Sequence, residues 1–237
     1  MRMKRTSVLA IAALLGAGLS SARAAEAAKD TKGEKLKDSP SSLVVEDEVW
    51  YPWRFEPMTW EHNARMHYRQ HEEQAAANEL RKAESWLKFA RGHALPESRK
   101  ALDSAASDLH FLAADLEQGN VVKADRLDYA LARADEALAQ WHYFKARDSV
   151  ARLEEGDAAM HLRTAARYLE HAATSARWEY GPETTTFFED MDEYGRVLDE
   201  GTTIEPDLLA SHLTALESEI NRMATTLDET AKKYVAD

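Results

Sequence analysis

The chain contains no cysteine. That excludes disulfides, thiolate metal sites, a cysteine nucleophile and the acylated cysteine of a bacterial lipoprotein. It also lacks a glycine-rich phosphate loop, a nucleophile elbow and a His-Glu-x-x-His motif. Serine and threonine are scattered through loops and helix ends, so the sequence predicts no catalytic activity. Positive charge is in deficit, with 30 basic against 42 acidic residues and a net charge of −12. Such a surface repels phosphate backbones and anionic lipid. Nucleic acid and membrane surfaces are therefore not expected partners.

The longest apolar run is near the N-terminus, from Val8 to Leu19, and it is too short to span a bilayer as a helix. It follows Arg2, Lys4 and Arg5 and precedes the small-x-small group Ala22-Arg23-Ala24. That order of features predicts a signal peptide over 1–24, cleavage before Ala25, and a periplasmic or secreted product without membrane insertion. Cleavage removes four of the 30 basic residues and no acidic ones, leaving 26 against 42 and a net charge of −16. Residues 25–46 offer little to bury and read as a flexible tether. Residues 47–59 carry Trp50, Tyr51, Trp53 and Phe55 around Pro52 and Pro57. Prolines oppose a regular helix and clustered aromatics oppose disorder, so this stretch is expected to be an extended strap lying on the domain.

From Trp60 onward apolar residues recur at alternating spacings of three and four. Ala76, Leu80, Ala83, Leu87 and Ala90 form one stripe, and Leu102, Ala105, Leu109, Leu112 and Leu116 another. Leu162, Ala165, Leu169, Ala172 and Ala176 follow, then Leu209 through Leu227. Breaks at Pro96, Gly119, Gly156, Gly181-Pro182 and 201–206 are too short for parallel neighbours. The expected fold is all-α: a single domain over 47–237, an antiparallel bundle of about six helices, three of them long. The expected bounds are 60–93, 96–118, 120–155, 157–180, 183–199 and 205–235. A 37-residue echo between "LEQGN" and "LEEGD" spans one helix and one turn. It reads as repeated turn chemistry, since a solenoid unit of that length holds two helices.

Two histidine groupings stand out. In "WEHNARMHYRQHEE", His67 and His71 are four residues apart and share a face of the expected 60–93 helix, whereas His62 and Met66 lie elsewhere round the axis. Imidazoles at that spacing suit zinc, copper or nickel. The competing reading is that this overhanging end of the helix receives the aromatic strap. When the helices are laid antiparallel, His142 falls beside His171, with His93 and Glu97 at a similar height. Three histidines and a carboxylate would suit zinc if they faced inward. His171 sits off its helix's apolar stripe, which argues against convergence. His110, His161 and His212 flank seams singly and read as hydrogen-bonded boundary residues. Haem would need a roomy apolar pocket, and alanine-lined seams leave little space for one. The sequence thus points first to an exported, non-enzymatic scaffold, stress or interaction protein, monomeric or weakly dimeric, with another envelope protein as the expected partner and no cofactor. The second reading is a protein that binds or buffers a divalent metal through its helical histidines.

Overall fold

A computed structural model describes residues 54–180, 185, 187–191 and 205–235, the side chains of 232–235 apart. The expected signal peptide, the tether, residues 47–53 of the strap and most of the 183–199 helix lie outside the described residues. Among the described residues the chain is all-α, without a strand. We number the helices α1 (Glu56–Arg69), α2 (Glu73–Gly92), α3 (Pro96–Glu117), α4 (Ala124–Ala151), α5 (Glu155–Ala176) and α6 (Pro206–Val235). Residues 187–191 are also helical.

The stripes read from the sequence are the buried faces. Leu80, Leu87, Leu102, Leu109, Leu112, Leu162, Leu169 and Leu216 are each 1% exposed or less. Each contributes on the order of 1.5–3 kcal/mol relative to an exposed side chain. Cross-helix pairs fix the directions. Glu84 meets His110 and Arg91 meets Asp103, so α2 and α3 are antiparallel. Arg126 meets Asp115 and Arg133 meets Ser104, which sets α4 antiparallel to α3. Helix α4 touches all five others. Alanine at 130, 132, 134, 137 and 139, all buried, lets neighbours approach it on every side.

Three features depart from the sequence reading. The expected 60–93 helix is two helices, α1 and α2, folded back so that Trp60 meets Trp86 edge-on at 6.3 Å. The reversal falls in the polar run Arg69-Gln70-His71-Glu72-Glu73-Gln74, where a continuing helix would have no apolar residue to bury. His71 takes the left-handed conformation (φ 59°), its N–H donating to Tyr68 O and that of Glu72 to His67 O. This is the Schellman closure, with histidine where glycine is usual. The turn between α4 and α5 is likewise closed by Leu153 (φ 62°), and Gly156 lies inside α5. The expected break at Gly156 is therefore displaced by three residues, and every pairing between the two helices shifts with it. Finally, residues 56–59 are the first turn of α1 and not extended strap. Pro57 sits where a helix loses nothing by lacking an N–H.

Candidate metal centre

Asp135 lies near the middle of α4, the helix packed from all sides, and is fully buried. Its neighbours one turn away, Leu131, Ala132, Leu138 and Ala139, are buried too. Two further ionisable side chains converge on it from different helices. Glu61 arrives from α1 with no exposed surface, and His171 arrives from α5 with its side chain 22% exposed. The His171 Nδ1–H donates to Asp135 Oδ2 at 2.7 Å, and the same nitrogen is 3.4 Å from Glu61 Oε2. One potential ligand atom from each residue lies within 4.8 Å of the others. Glu61 Oε1 and Asp135 Oδ1 are buried and receive no hydrogen bond.

Leaving a carboxylate charge unpaired in such a core costs several kcal/mol. Burial first, and the neighbouring Asp135 second, hold the Glu61 carboxyl well above the usual carboxylate range. Burial pulls the His171 imidazole down, but its hydrogen bond to Asp135 and the contact with Glu61 outweigh it, and the imidazole is pushed up to about 10. Two carboxylates this close require a shared proton or a cation between them. With Glu61 protonated and His171 charged the cluster is neutral. With a divalent ion, two carboxylates and a neutral imidazole, it is neutral again.

The cluster is one rung of a polar ladder on the inner face of α1. One turn along, Arg65 donates to Asp128 Oδ1 at 2.9 Å and to Ser175 Oγ at 2.8 Å, joining the same three helices. Next, the Tyr68 hydroxyl donates to Val122 O. In the other direction, Tyr168 donates to Arg54 O, and its ring stacks on His142 at 5.8 Å. His142 in turn meets His161, their Nδ1 atoms 3.0 Å apart. That contact requires one imidazole to donate and the other to accept. Burial above all, then the charges around it, pushes His161 down to about 3 and His142 well below its ordinary value.

The histidines singled out in the sequence are dispersed. His67 is in the last turn of α1 with its Nδ1 2.6 Å from Glu72 Oε2, and His71 is in the turn beyond. The one-turn spacing that would have made them a chelating pair is lost where the helix ends. His93 caps α2, its Nδ1–H donating to Phe89 O at 3.0 Å on the surface. His142 and His171 are in one helix pair but not one cluster, because the displaced turn sets His142 against His161 and Asp135 against His171. Of the five candidates, His171 is the one in the buried cluster. Glu61 and Asp135 went unread in the sequence. Their signal was an acid on an apolar face: Asp135 between Leu131 and Leu138, and Glu61 three residues before Ala64.

No family model matches this chain, and no curated protein or solved structure matches it.

Proposed function

We propose that this chain is an exported helical-bundle protein, without catalytic activity of its own, that holds a divalent metal ion at Glu61, Asp135 and His171. The observation that carries the reading is a pair of buried carboxylates, on different helices, with one oxygen of each lacking any donor. An imidazole at the solvent edge supplies the third ligand and a route for the ion. One nitrogen and two carboxylate oxygens suit a borderline transition ion such as zinc or manganese better than calcium, which takes six to eight oxygens. Three protein ligands leave further coordination positions to water.

The expected signal peptide supports an envelope location, where such a protein would carry or buffer the ion. Titration calorimetry of the untagged chain with zinc and manganese tests the reading. Wild type is expected to bind one ion. Glu61→Gln and Asp135→Asn are expected to weaken binding by more than the roughly 10- to 100-fold that follows loss of an outer-shell partner. Both variants should fold, because each replaces a buried acid by an isostere that needs no counter-charge. Equal affinity in wild type and both variants would assign the cluster to a shared proton and end the proposal.

A further inference from the structure

Helix α1 is poorly anchored for its length. Of its 14 residues only Pro57, Glu61 and Ala64 are buried, whereas α2 buries seven and α3 eight. A helix of that length is marginal in water without tertiary support. Its polar contacts to α4 and α5 are made by Glu61 and Arg65, beside Ala64 and the core-packed Met58, while Tyr68 reaches Val122 O just ahead of α4. Its apolar support comes mainly from α2, through Trp60.

We infer that the metal ion is the clasp that fastens α1 across α4 and α5, so that occupancy of the site sets how often α1 opens. The inference rests on the metal reading above. Each helix supplies one ligand, Glu61 from α1, Asp135 from α4 and His171 from α5, so the complete site exists only while α1 is docked. An ion that binds the docked state alone must stabilise it, and opening falls by a factor of 1 + [M]/Kd. At a free ion concentration of 100 Kd the open population falls about 100-fold. The ion thereby becomes a signal. Loaded protein keeps α1 closed, and unloaded protein exposes the inner faces of α4 and α5 more often.

Amide hydrogen exchange on the full chain reads this out. With zinc or manganese at about 100 Kd, amides of residues 60–69 are expected to slow about 100-fold, while amides in the middle of α3 keep their rates. Asp135→Asn removes a ligand that α1 does not itself carry and is expected to abolish the slowing. Binding by calorimetry with no change in α1 exchange would overturn the clasp and leave the metal site standing. Equal slowing in α1 and α3 would do the same, because α1 would then open only with global unfolding. Absence of binding by either ion would overturn both.

Discussion

His142 and His161 show how a single pair of imidazoles sets a pH limit on the fold. Both are buried, and the short contact between their Nδ1 atoms tolerates no second proton. In the unfolded chain each imidazole takes a proton near pH 6.5, the ordinary value. In the folded chain His161 resists protonation down to about pH 3, chiefly through burial. The unfolded state therefore binds more protons between those limits. Stability from the pair is complete above pH 6.5 and is lost as pH falls toward 3, at up to about 1.4 kcal/mol per pH unit for each imidazole. Thermal melts from pH 7.5 to 4 are expected to show a falling midpoint in wild type. The slope should be shallower in His161→Gln, whose amide does not titrate. Parallel slopes in the two proteins would mean that the pair does not govern acid stability.

At the scale of elements, α4 and α5 are joined by a turn that spends energy on an unsuitable residue. Leu153 is left-handed and 87% exposed. A left-handed conformation costs a residue bearing a Cβ on the order of 1–2 kcal/mol. Leu153→Gly is therefore expected to raise stability by about 1 kcal/mol, measured by denaturant unfolding at constant slope. Gly119→Ala is expected to lower it by a similar amount, since Gly119 fills the equivalent place at φ 72° with nothing within 4 Å of the added methyl. If both changes were neutral, the turns would not be storing this strain. The same turns explain what could be read from sequence. Stripes such as Leu102 to Leu116 were legible because a helix face repeats every three to four residues whatever surrounds it. The closures at His71 and Leu153 were not, because neither carries the glycine that normally announces one, while Gly156 announced a turn that is not there. Misplacing one turn by three residues was enough to pair His142 with the wrong end of α5. Splitting α1 from α2 then brought Glu61, unremarked in the sequence, to Asp135. The site was hidden because its geometry depends on turns, whereas the core depends on periodicity.

For the whole molecule, charge and the placement of apolar surface bear on association. The large exposed apolar side chains among the described residues are Met66, Phe111, Val121, Leu153 and Leu208. Val121 and Leu153 occupy turns, Phe111 is on α3 and Leu208 is in the first turn of α6, so they are spread over separate elements. Stable dimers instead bury a contiguous patch of about 800 Å² on each partner. A net charge of −12 for the whole sequence, falling to −16 without residues 1–24, adds repulsion between copies. That repulsion acts over about 10 Å at 0.1 M salt and about 3 Å at 1 M. The chain beginning at Ala25 is accordingly expected to sediment as a monomer at 0.05 M salt, with at most weak self-association emerging near 1 M as the charge is screened. A dimer already present at low salt would require an attractive surface strong enough to overcome the repulsion. Addition of zinc should leave the sedimentation unchanged, because the three ligands come from one chain; zinc-driven dimerisation would mean that the ion is held between copies and not within one.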